Sequence, residues 1–150
     1  MKQESKTVDV PAAIAMKAEN LAVVFGLTRV YKGEEQANVS IIYRILIEMG
    51  LSDRQKFIAF VDKTQSNEKY IGELKRSTFQ ATDETVMEIM TCAKEAGLLK
   101  RDEGGLVPNF TQTVVKLLEY AVSQPIALIG WFGLCVDEGL KDDNRPAGQG

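Results

Sequence analysis

Residues 82–108 limit the fold more than any other stretch, because a helix start, a helix stop and the element that follows are all marked there. Val86, Ile89, Met90, Ala93 and Gly97 recur at steps of three and four residues, which lays them along one stripe of an amphipathic helix that must face a core. Thr82 is placed to accept from the first free N–H groups. Asp83 and Glu84 set negative charge at the positive end of the helix, and Gly97 can take the left-handed conformation that ends it. Leu98 and Leu99, then Leu106 and Val107, flank the polar, glycine-bearing 100–105, which is the pattern of a β-hairpin.

Upstream, 68–76 fits a short helix with Ile71 and Leu74 turned inward, 77–82 reads as a turn, and Phe79 is placed to fill the angle between two helices. This order of helix, turn, helix and hairpin over 67–110 resembles the winged helix-turn-helix superfamily, as in small DNA-binding regulators and plasmid replication-type winged helices. Ile71, Leu74, Thr82, Thr85, Val86 and the run AGLLKR at 96–101 stand at the pattern's supporting positions, at the opening of its recognition helix and at the lead into its basic wing. Gln80 departs from it, standing where a turn glycine is usual. The resemblance implies a mainly α-helical fold, with a winged helix-turn-helix core, one short β-hairpin and extra N- and C-terminal helices.

Elsewhere, 1–8 reads as a flexible leader, 9–139 as a single globular domain and 140–150 as a disordered tail. Asp9 and Pro11 open a helix carrying Ile14, Ala18, Leu21 and Phe25, which either stops at Gly26 or runs on to Gly33. Glu34 and Glu35 suit the start of the next, with Ile41, Ile42, Ile45, Leu46 and Met49 continuing to Gly50. Ser52 and Gln55 form a capping box for a third helix bearing Phe57, Ile58, Phe60 and Val61. Thr111 is placed to cap a helix bearing Val114, Val115, Leu117, Leu118, Ala121 and Val122, whose apolar arc is wider than one core face needs. The chain then breaks at 123–125 before a helix apolar nearly all round, with Trp131, Phe132, Leu134 and Cys135. No internal repeat is evident.

A chain of 150 residues can bury a core without disulfides or metal. With no histidine, and with Cys92 and Cys135 far apart, neither a metal nor a cofactor is expected. Both cysteines read as buried fillers. No phosphate-binding glycine loop and no nucleophile elbow appears, and the commonest general base is missing, so an enzyme is not expected. The start lacks the apolar core of a signal peptide, and the longest apolar run, 125–136, is too short to span a bilayer. A cytoplasmic protein with free thiols, and no membrane contact, is the expectation.

The resemblance implies a regulator that binds double-stranded DNA. The net charge of −3 moves the question to local surfaces. Lys75 and Arg76 at the end of the supporting helix, Lys100 and Arg101 at the wing base, and Thr85 and Lys94 on the recognition helix form the candidate nucleic-acid set. The face opposite the stripe is dominated by Asp83, Glu84, Glu88 and Glu95, which repel phosphate and suit a basic protein partner instead. That surface defines the alternative, a protein-interaction module (subunit or inhibitor) with no DNA binding. Leu117, Leu118, Trp131, Phe132 and Leu134 offer more apolar surface than one small domain readily covers, which points to a homodimer interface.

Overall fold

Val8 and Val10 alternate with Thr7 and Asp9, and Phe79 and Ala81 alternate with Thr78 and Gln80. This period of two belongs to a strand with one buried face. The computed structural model, which describes residues 3–64, 72–124 and 126–131, pairs these segments as β1 (Gln3–Pro11) and β4 (Leu74–Thr82). Between them lie α1 (Ala12–Val24), the hairpin β2 (Thr28–Tyr31) and β3 (Glu34–Ala37), α2 (Val39–Ser52) and α3 (Arg54–Thr64). After β4 come α4 (Asp83–Ala96), the hairpin β5 (Leu99–Asp102) and β6 (Gly105–Pro108), and α5 (Phe110–Val122), followed by a helical segment at 126–131.

The chain is duplicated, against the sequence expectation of no repeat. From Gln3 to Leu74, Ala12 to Asp83, Thr28 to Leu99, Glu34 to Gly105 and Val39 to Phe110, each element start is displaced by the same 71 residues. Hydrogen bonds repeat at the same displacement. Leu27 N–H donates to the Ala22 carbonyl at 2.7 Å and Leu98 N–H to that of Ala93 at 2.8 Å. Asn38 and Asn109 donate from their own N–H groups to the carbonyls of Leu27 and Leu98. Their side chains then cap the next helix, accepting from Ile41 N–H at 3.4 Å and from Gln112 N–H at 3.1 Å. Gly26 and Gly97, at φ 75° and 74°, close α1 and α4 in the same left-handed conformation.

The two halves face each other across the β1–β4 ladder. It is antiparallel and runs from Gln3↔Thr82 to Pro11↔Leu74, so Thr7 pairs with Thr78, its own equivalent in the other half. An approximate twofold axis therefore passes between these two threonines, whose hydroxyls lie 3.0 Å apart.

Beneath the ladder, Val8, Val10, Phe79 and Ala81 are buried against α2 and α5. These two helices cross so closely that a Cβ on Gly50 would stand 2.6 Å from Leu117 Cδ2. Leu46, Leu117 and Leu118 are fully buried there, so the surplus apolar arc of α5 is covered by the other half of the same chain. Ser77, also buried, is satisfied by the Tyr43 hydroxyl at 3.1 Å.

The fold is mainly helical, with three two-stranded antiparallel sheets among the described residues where one hairpin was expected. Residues 3–8, read as a leader, are paired strand. Residues 74–76, assigned to a supporting helix, and 77–82, assigned to a turn, are also strand. Leu74 is exposed, and Ile71 lies outside the described residues. A long-range ladder pairs alternate N–H groups along each strand while burying one of its faces, and that outweighs the weak helical spacing of these residues. Glu34 and Glu35 sit in β3, not at a helix start, because Lys32 and Gly33, at φ 52° and 79°, make the two-residue turn that suits a hairpin. Asn38, not the acids, caps α2, and Asn109, not Thr111, caps α5. Ser52 ends α2 and donates to the Met49 carbonyl, so it forms no capping box. The helix 83–96, its Thr82 cap, its Gly97 stop and the hairpin after it stand as expected. The tail 140–150 lies outside the described residues.

Candidate functional site: a polar ribbon on the twofold axis

Pairing fixes which side chains leave the outer face of the ladder together. They are Gln3 with Thr82, Ser5 with Gln80, Thr7 with Thr78 and Asp9 with Arg76, whereas the last pair sets a buried Pro11 beside an exposed Leu74. All eight residues of the first four pairs are polar, and among the described residues nothing covers Ser5, Thr7, Thr78 or Arg76, which are exposed. Side chains on this face hold one another across the strands. Gln80 Nε2 donates to Ser5 Oγ at 2.7 Å, and Arg76 Nε donates to Asp9 Oδ1 at 3.4 Å.

An open cleft of about 470 Å³ adjoins one end of the ribbon, lined among others by Gln3, Arg29, Ser40, Arg44, Thr78 and Gln80. Ser40 stands in the first turn of α2, and its Oγ accepts from the Gln80 backbone N–H at 3.3 Å, which ties the helix start to the ribbon. Two guanidinium groups and a helix N-terminus thus share one hollow beside the exposed polar face, an arrangement that suits an anion such as phosphate.

The residues expected to carry function are scattered. Arg76 belongs to the ribbon, whereas Lys75, one residue earlier, leaves its edge to pair with Glu19 of α1 at 2.7 Å. Lys100 and Arg101 are exposed on β5. Thr85 is half-buried in the first turn of α4, its hydroxyl accepting from Thr82 Oγ1 at 3.1 Å, and Lys94 is exposed in the last turn. Asp83, Glu84, Glu88 and Glu95 do form an exposed acidic side of α4, with Met87 standing 69% exposed among them and Glu95 paired with Arg54 at 3.1 Å. The dimer surface is corrected in part. Leu117 and Leu118 lie in the core, Trp131 is half-buried against it, and Phe132 and Leu134 are outside the described residues.

Sequence reading missed Gln3, Ser5, Thr7, Thr78, Gln80, Arg29 and Arg44. The two alternating segments could have revealed the first five; nothing local marks the arginines, which come together with the ribbon only in the tertiary fold. Cys92 is buried, as expected, and burial pushes its thiol up to about 11, with Glu95 adding to the shift and Arg54 opposing it. No described helix is long and apolar enough to cross a membrane. No family model, curated protein or solved structure matches the chain.

Proposed function

We propose that the protein binds double-stranded DNA by laying the β1–β4 ribbon into the major groove, as a regulator whose two halves do the work of a dimer. The major groove admits a two-stranded ribbon, and hydroxyl and amide side chains offer both donors and acceptors to base edges. What carries the reading is the polar outer face centred on Thr7 and Thr78, because a twofold axis at that point matches the local dyad of a duplex. Arg29 and Arg44, with the start of α2, are placed to take a backbone phosphate beside the ribbon. In the winged-helix version of DNA binding, α4 would enter the groove and Lys100 and Arg101 would act from the wing. The carboxylates of Asp83, Glu84 and Glu88 oppose that geometry, so the ribbon is favoured.

Thr7→Glu together with Thr78→Glu places two carboxylates where groove and phosphates are most negative, on side chains the core does not use. Gel-shift with random-sequence duplex at low salt should show binding by the unmodified chain and none by this pair at unchanged helicity. Binding that survives both substitutions would refute the ribbon. The second reading, an acidic face for a basic protein, rests on Met87 exposed among Asp83, Glu84 and Glu88. In that case Glu84→Lys with Glu88→Lys should abolish the protein complex, whereas if DNA is the partner the same pair should strengthen DNA binding.

A further inference from the structure

The halves share a backbone plan but not the side chains they present. At one end of the ribbon stand Gln3, Ser5 and Gln80, all neutral amides and hydroxyls; at the other stand Asp9, Arg76 and Leu74. Resting on the DNA reading above, we propose that the protein recognises a non-palindromic site, with adenine read at the Gln80 end and guanine at the Arg76 end.

Each end is arranged for its base. Ser5 Oγ holds one amide hydrogen of Gln80 at 2.7 Å, which leaves the amide oxygen and the second hydrogen for adenine N6 and N7. Asp9 holds Arg76 through Nε, and the Arg76 side chain is 77% exposed, so its terminal nitrogens can offer the two-pronged spacing that guanine O6 and N7 require. The Asp9 carboxylate beside it accepts only, which suits the amino group of the cytosine paired with that guanine.

Backbone anchoring is uneven in the same sense. The cleft beside Gln80 has Arg29 and Arg44, whereas the equivalent positions, 71 residues on, are Lys100 and Val115, so the second flank keeps one cation of the two. Ser40 ties α2 to the Gln80 end. A chain encoding both half-site readers in one polypeptide is not bound to identical halves, as a dimer of identical chains would be.

The test is repeated selection of duplexes from a random pool by the full chain, followed by affinity measurement on the selected site. An enriched motif with adenine on one side of its centre and guanine on the other is the expected result. Gln80→Ala should then erase the adenine preference alone and Arg76→Ala the guanine preference alone, each by about 5- to 150-fold. Both side chains are outside the core, and a melting curve verifies that each variant is folded. A palindromic motif, or one in which either substitution relaxes both halves equally, would overturn the asymmetric reading while leaving DNA binding in place. Failure to enrich any duplex would overturn both.

Discussion

The crossing of α2 and α5 gives the duplicated architecture its most direct test, because there a missing side chain on one half makes room for a large one on the other. Gly50→Ala would set a methyl 2.6 Å from Leu117 Cδ2, well inside van der Waals contact. Leu117 is fully buried, so its side chain can yield only by pushing on neighbours. Overpacking of this kind costs about 1–3 kcal/mol. Against it, alanine is favoured over glycine inside a helix by about 1 kcal/mol, for a net loss of roughly 0–2 kcal/mol. Leu117→Ala alone empties a core site at about 2–5 kcal/mol. In the double variant the new methyl enters the space that Leu117 vacates, so the strain disappears and part of the cavity is filled. The double change should therefore cost less than the sum of the singles by at least about 1 kcal/mol. Urea denaturation of the four proteins, read from midpoints at constant slope, measures this coupling. Agreement with simple addition within about 0.5 kcal/mol would show that Gly50 and Leu117 do not meet, and the proposed packing of the halves would be wrong.

Gly26→Val and Gly97→Val should each destabilise by about 1–2 kcal/mol, since both glycines have positive φ and open space offers no compensating contact; an unchanged melting temperature in either would remove that left-handed stop. Tyr120 donates to Asp53 Oδ2 at 2.8 Å, and burial, with help from that carboxylate, pushes its hydroxyl from 10.0 up to about 12. The folded protein then holds this proton after the unfolded chain has lost it. Stability that is complete below pH 10 should fall as the pH climbs toward about 12, and Tyr120→Phe should flatten that decline in alkaline urea titrations. Cys92, buried and with its thiol raised to about 11, should resist alkylation at pH 8 in a Cys135→Ser background until denaturant is added; rapid native labelling would contradict its packing.

What the sequence determined by itself is what neighbours in the chain decide. The Thr82 cap, the 83–96 helix, the Gly97 stop and the hairpin after it were legible because each depends on contacts a few residues apart. The large apolar share of α5 was equally legible, but its meaning was not. A wide apolar arc is buried alike by a second copy of the chain or by a second half of the same one, and only the packing of Leu117 on Gly50 showed which. The ribbon was harder to see. Its two strands hydrogen-bond across 71 residues at Thr7 and Thr78, and a strand has no partner until the fold provides one. Repetition escaped notice because the halves share hydrogen bonds more than side chains: Asn38 and Asn109, Gly26 and Gly97, Leu27 and Leu98 are kept where backbone geometry demands them. On the outer face, where no packing dictates the choice, Gln80 stands opposite in role to Asp9 and Arg76 to Ser5. Local chemistry could thus specify helices and turns, whereas the axis, the ribbon and the gathering of Arg29 and Arg44 beside Gln80 came from tertiary structure, since each depends on parts of the chain that meet only after it has folded.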